Sequence, residues 1–169
     1  MLYSRILLSL SLLLTLSSTV IAEDASHTDS NSVKKFETIK LDNFIDKNQI
    51  PLDMIAAKKR VMLPPSAVQF DATLLQPPKP GKFSLVYDAL SLWQSDAPLP
   101  TVDHSAFLQT DDERVIAVYV SSVAAEQLKA IAAQNIKLPQ KSHIYAIHIY
   151  NYAKGPRLVV IGASSMTQQ

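Results

Sequence analysis

The clearest alternation of apolar and polar positions lies in the C-terminal half of the chain. Between Arg114 and Ser121, Ile116, Val118 and Val120 alternate with Val115, Ala117 and Tyr119. That period of two predicts a strand. His143 to Tyr152 predicts a second strand, with Tyr145, Ile147 and Ile149 on its odd face and Ile144, Ala146, His148, Tyr150 and Tyr152 on its even face. Ala153-Lys154-Gly155-Pro156 reads as a turn, and Arg157 to Ala163 as the returning strand. Between the first two strands, Val123 to Gln134 predicts a helix. Ser122 is placed to cap it, Glu126 lies in its first turn and Asn135 just past its end. The expected unit is β-α-β-β, with strands 114–121, 143–152 and 157–163 and a helix over 123–134.

All three strands are apolar on both faces, so both faces need cover. One helix cannot supply it. Residues 36–93 are therefore expected to wrap over the second face. The odd face of 143–152 is the better match for the helix, which leaves the even face to the wrapping segment. The expected class is α+β, with a small mixed or antiparallel sheet.

The upstream pattern is weaker. Phe36, Ile39, Leu41, Phe44 and Ile45 are apolar anchors. Pro51 suits the first position of a helix running to Met62, with Asp53 near its start and Lys58, Lys59 and Arg60 near its end. Pro64-Pro65 would stop that helix, Val68 to Leu75 predicts a strand, and Pro77 to Gly81 a stiff connector. Phe83, Val86, Tyr87, Leu90 and Trp93 have helical spacing. Residues 95–110, with Pro98 and Pro100, read as a loop that ends in a turn at Asp111-Asp112.

The first residues change the length that has to fold. Arg5, the apolar run Ile6–Leu16 and Val20-Ile21-Ala22 make up the charged, apolar and cleavage regions of a secretory signal peptide. The run is about half of the roughly 20 residues that span a bilayer. Cleavage is expected after Ala22, with no stable membrane insertion afterwards. Residues 1–22 are then the signal peptide and 23–35 a polar, disordered tether. Residues 36–169 form a single domain, comprising a wrapping segment and Pro-rich connector (36–81) and a better-patterned core (82–163).

Charge and composition narrow the function. The 16 basic and 15 acidic residues become equal when Arg5 leaves with the signal. The balance is also local, with eight of each sign in 23–81 and seven of each in 82–169. Nucleic-acid binding and polybasic membrane binding need a one-signed surface, so neither is expected. The chain has no cysteine, which excludes disulfides, thiolate metal sites and cysteine nucleophiles. Its three glycines are too far apart for a phosphate-cradling loop. The lack of both cysteine and an Asn-x-Ser/Thr acceptor points to a bacterial exported protein, periplasmic or secreted.

Candidate chemistry is sparse. His27, His104, His143 and His148 do not share a face by spacing, so neither a metal nor a cofactor is expected. Asp103-His104-Ser105 contains triad residue types, but consecutive side chains diverge, and a triad forms in space rather than in a row. Asp111, Asp112 and Glu113 read as a solvated turn. Aromatic residues are what remain. If the wrapping segment covers the even face incompletely, His148, Tyr150 and Tyr152 form a patch, with Tyr119 close by. The reading is a non-enzymatic exported binding protein, such as an inhibitor, an immunity-type protein or an envelope-assembly accessory. It would meet a protein partner in the envelope through that surface. The alternative is a small exported hydrolase or lyase with a dispersed active site that includes His104 and His148.

Overall fold

A computed structural model describes residues 36–57, 59–93, 98–134 and 139–166. The signal segment 1–22, the tether 23–35, Lys58 and Asn135 lie outside the described residues. Among those described, seven strands form one mixed sheet accompanied by four helices, an α+β fold. The elements in chain order are β1 (Glu37–Thr38), α1 (Leu41–Lys47), α2 (Leu52–Ala56), β2 (Val61–Leu74), β3 (Lys79–Pro80), α3 (Ser84–Leu90), β4 (Val102–Gln109), β5 (Val115–Ser121), α4 (Ser122–Gln134), β6 (Gln140–Tyr152) and β7 (Gly155–Ser165). No helix among them is long and apolar enough to cross a membrane.

The sheet order is β1-β2-β6-β7-β5-β4-β3, and β2 also pairs with β4 through Thr73↔Gln109 and Leu74↔Leu108. Strands β2, β6, β7, β5 and β4 therefore close into a cycle. Within it β2, β4 and β5 are successive neighbours and β6 returns beside β2, which is the Greek-key order. The strand β7 fills the gap between β6 and β5, antiparallel to the first and parallel to the second. The result is a small barrel that is closed by only two residue pairs along the β2–β4 seam.

This closure explains the two-sided strands, since one face points into the barrel and the other outwards. The inner face carries Val68, Phe70, Ala72 and Leu74 of β2, Ile144 and Ala146 of β6, Leu158 and Val160 of β7, and Ile116, Val118 and Val120 of β5. Ala124, Ala125 and Leu128 of α4 join this cluster, as do Leu41 and Ile45 of α1. The outer cluster consists of Ile147, Ile149 and Tyr150 of β6 and Val159 of β7, with Val86, Ala89 and Leu90 of α3 laid over them. The helix 122–134 thus packs with even-numbered β6 residues, not with the odd face the sequence had favoured. The odd face is covered by α3.

The two helices of the inner cluster sit at opposite ends of the barrel. β5 and β7 are parallel, so they begin at one end and finish at the other. At the starting end, Asp42 Oδ2 accepts the Asp112 N–H at 3.2 Å and Arg114 Nη1 reaches Asp46 Oδ1 at 2.7 Å, which seats α1 there. At the far end, Gln127 Oε1 of α4 accepts the Ala163 N–H at 2.9 Å. Both ends of the barrel are stoppered by apolar helix faces.

Several elements differ from their sequence expectation. The helix from Pro51 ends at Ala56, and β2 has already begun at Val61, so Pro64-Pro65 lie inside a strand. The β2–β6 register shifts between Met62 and Ser66, where the prolines interrupt the ladder. Proline is tolerated at such an irregularity because it has no N–H to contribute. The supposed loop 95–110 contains β4, and the connector 77–81 contributes β3 to the edge beside it. The helix read over 83–93 is the shorter Ser84–Leu90. Ser121 rather than Ser122 caps α4, its Oγ accepting the Ala124 N–H at 3.2 Å.

Candidate functional site

The β6–β7 hairpin sets the geometry of the site. Its two-residue turn, Ala153-Lys154, is followed by Gly155 at φ +96°, a left-handed conformation that favours glycine. The turn fixes the register, with Tyr152 opposite Gly155 and Tyr150 opposite Arg157. On the other side of β6, Met62 of β2 stands opposite Tyr150. Arg60 immediately precedes β2, so Tyr150 and Tyr152 lie between an arginine from each neighbouring strand.

The distances bear this out. The Arg60 guanidinium carbon lies 5.9 Å from the Tyr150 ring centroid and 6.0 Å from that of Tyr152, and the Arg157 guanidinium carbon lies 5.6 Å from the Tyr152 centroid. These are cation–π separations. Arg157 also donates to the Ala117 carbonyl at 3.2 Å. Beneath them the Tyr119 and Tyr150 hydroxyls lie 3.1 Å apart, and Phe83 meets Tyr119 edge-on with centroids 5.0 Å apart. Burial raises the Tyr150 pKa, as does the hydrogen bond with Tyr119, so the phenol stays neutral.

Tyr152 also forms one wall of a cavity of about 320 Å³. Ile45, Ile50 and Ile55 from the α1–α2 segment are among the residues that face it, with Arg114 and Lys154 also on the lining. That volume lies at the small end of the roughly 300–1,000 Å³ range of ligand pockets. It suits one or two side chains better than a large cofactor. Leu52 on its rim is 83% exposed.

Three of the four aromatic-patch residues named from the sequence come together. Tyr119, Tyr150 and Tyr152 share the outer cluster, although Tyr150 is only 4% exposed and belongs to the core. His148 is elsewhere. The β6–β7 register shifts between His148 and Tyr150, and a bulge of this kind re-aims the side chains that follow it. The His148 ring packs edge-on against Phe44 of α1, with centroids 5.0 Å apart, and its Nε2 lies 2.8 Å from Asn151 Oδ1. Asn151 in turn donates to Asn48 at 3.1 Å. Burial lowers the His148 pKa, which favours the neutral imidazole.

The other candidate side chains have local roles. Asp103 and His104 do meet, Nδ1 to Oδ1 at 2.6 Å, although consecutive strand residues should diverge. The β4–β5 register shifts between Val102 and His104, which turns the two side chains towards each other. Ser122 Oγ donates to the other Asp103 oxygen at 3.0 Å. The carboxylate thus stands between serine and imidazole, whereas a triad places the imidazole in the middle. The hydrogen bond with His104 is the main cause of the lowered Asp103 pKa. His104 is on β4 and His148 on β6, strands that are not neighbours in the barrel. His143 lies 2.7 Å from Asp71 on the β2–β6 surface, and His27 is outside the described residues. The acidic group at 111–113 is a turn, in which Asp111 pairs with Lys141 at 2.8 Å. Among the described residues no three His, Cys, Asp or Glu side chains cluster as metal ligands.

Sequence reasoning missed Arg60, which it read as a solvated helix end, and it missed Arg157 and the cavity. Arg157 had a usable signal, because the turn alone places it opposite Tyr150. No protein-family model matches the chain, and neither does any characterised protein or solved structure.

Proposed function

We propose that this is an exported bacterial binding protein that acts without catalysis, by holding a segment of an envelope protein in the cleft between α2 and the β6–β7 hairpin. The observation that carries the reading is the position of Tyr152. Its ring is at once one wall of a cavity of mixed lining and the near neighbour of two guanidiniums. Half-exposed aromatic residues and arginines, set beside a pocket, are the side chains that dominate protein interfaces. In this reading Tyr152 makes contact, Tyr119 and Tyr150 support it from beneath, and His148 belongs to the packing of α1. The signal-type segment 1–22 delivers the chain to the periplasm or the medium, with cleavage after Ala22. Within residues 36–93, α1 covers one barrel end and α3 the outer face, while β2 is itself a barrel strand beside the β5-α4-β6-β7 unit.

The test is equilibrium binding to a purified partner identified by cross-linking in the envelope. Leu52→Asp, on an exposed residue, should abolish equimolar complex formation without lowering the melting temperature. Full binding by that variant would place the interface elsewhere. N-terminal sequencing of protein from the periplasm should begin at Glu23, and intact Met1 in a membrane pellet would refute the export reading.

A further inference from the structure

Charge at the cleft is uneven, in contrast to the balance of the chain as a whole. On the cavity lining Arg114 is neutralised by Asp46, and elsewhere Lys129 pairs with Glu126 and Lys141 with Asp111. Among the described residues no carboxylate lies within ion-pairing distance of Arg60, Arg157 or Lys154, the cations that surround Tyr152. Arg157 donates once, to the Ala117 carbonyl, and a guanidinium carries five N–H donors. Both guanidiniums lie within 6.0 Å of the Tyr152 ring centroid, and each keeps N–H donors that an anion beside the ring can accept from.

The apolar half of the cleft lies directly beside this charge. Ile45, Ile50 and Ile55 face the cavity whose wall is Tyr152. A void of about 150 Å³ lined by aliphatic residues is enough to hold a benzene ring, so about 320 Å³ accepts one large apolar side chain or two small ones.

We infer that the cleft recognises an acidic protein segment, with carboxylates held by Arg60 and Arg157, which flank Tyr152, and an adjacent apolar side chain seated in the cavity. This inference rests on the proposed function and specifies the chemistry of the bound segment. A planar carboxylate matches the guanidinium fork and accepts paired hydrogen bonds from it. A nucleic acid fits less well. The positive charge is confined to one end of the barrel and offers no continuous track for a phosphate backbone.

The probes are short synthetic peptides, titrated by fluorescence anisotropy against the full-length secreted protein. One series alternates Asp or Glu with Leu or Phe. A matched series replaces every acid by its amide. The acidic peptides should bind at least about tenfold more tightly, as expected for charge-assisted hydrogen bonds, and should weaken with added salt. Arg60→Gln and Arg157→Gln should each shrink the preference for acid, weakening the acidic series several-fold more than the amide series. Leu52→Asp should weaken both series.

Equal binding of the two series, lost in both on Leu52→Asp, would overturn the acidic specificity and leave the binding function standing. Binding of neither series would overturn the acidic inference together with the peptide-binding reading. Single-stranded DNA that binds as tightly as the acidic peptides, with the same loss in Arg60→Gln, would show a general anion surface and overturn the inference.

Discussion

The hydroxyls of Tyr119 and Tyr150 meet at 3.1 Å, although the two residues come from β5 and β6, which β7 separates. Their rings reach over β7 on the outer face of the barrel. Tyr150 is 4% exposed, so its removal is a core deletion. Tyr150→Ala should cost about 3–5 kcal/mol, the usual range for a buried aromatic. Tyr150→Phe should cost about 1 kcal/mol, the net worth of one hydrogen bond. Tyr152→Ala should change stability much less than Tyr150→Ala while weakening partner binding. Urea unfolding of the three variants separates them, and an equal loss from Tyr150→Ala and Tyr152→Ala would contradict the assignment of core and contact.

His148 ties stability to pH. Burial holds its pKa below the usual 6.5, so the unfolded chain takes up this proton more readily than the folded one. The stabilisation from neutral His148 is therefore complete above about pH 6.5, falls as pH drops towards the lowered folded value, and levels off below it. The slope from one such group cannot exceed about 1.4 kcal/mol per pH unit. His148→Gln should flatten this part of the profile when unfolding free energies are measured from about pH 8 down to pH 5. An unchanged slope would assign the pH dependence to another group.

The start of α4 distinguishes two adjacent serines. Ser121 Oγ accepts the Ala124 N–H, and Ser121 is 2% exposed. Ser121→Ala should therefore cost about 0.5–2 kcal/mol through the lost cap. Ser122 bonds Asp103 and the Thr101 carbonyl on the partly exposed side, so Ser122→Ala should cost less. Thermal melts of the pair give the ranking directly.

Gly155 joins the turn to the barrel end. A Cβ there would meet Ile45 Cγ2 at 3.7 Å, ordinary contact, so the cost of Gly155→Ala comes from its φ of +96°. About 1–3 kcal/mol is expected for a non-glycine residue held in such a conformation. Ile45→Ala should cost about 2–5 kcal/mol as a core truncation, and should also weaken peptide binding because Ile45 lines the cavity. Binding that is undiminished in Ile45→Ala would separate the cavity from recognition.

Legibility in the sequence followed local regularity. The expected strands 114–121 and 157–163 and helix 123–134 nearly coincide with β5, β7 and α4, because runs of valine, isoleucine and leucine mark the strands and polar residues bracket the helix. β4 was hidden by Pro98 and Pro100 just before it and by Asp103-His104-Ser105 at its start, where a register shift spoils the period of two. The same cause misplaced His148. Strict alternation puts it with Tyr150, but the shift between them sends the two side chains to opposite sides of the sheet. Barrel closure was out of reach, because Leu74 meets both Leu108 and Gln140 only through pairings distant in sequence. Arg60 was missed for the same reason, since its approach to Tyr152 depends on β2 lying beside β6.

The partnership of β2 with β6 also sets a schedule for folding. The longest strand, Val61–Leu74, takes most of its ladder from Gln140–Tyr152, late in the sequence. A polypeptide threaded through a translocation channel from its N-terminus presents β2 long before β6 emerges. Until then Phe70 and Ala72 have no paired strand beside them, and Val68 and Leu74 have only the short ladders to β1 and β4. The barrel can close only when almost the whole chain is present. Any route that releases the chain from its N-terminus, synthesis included, therefore leaves the first half waiting for the last two strands.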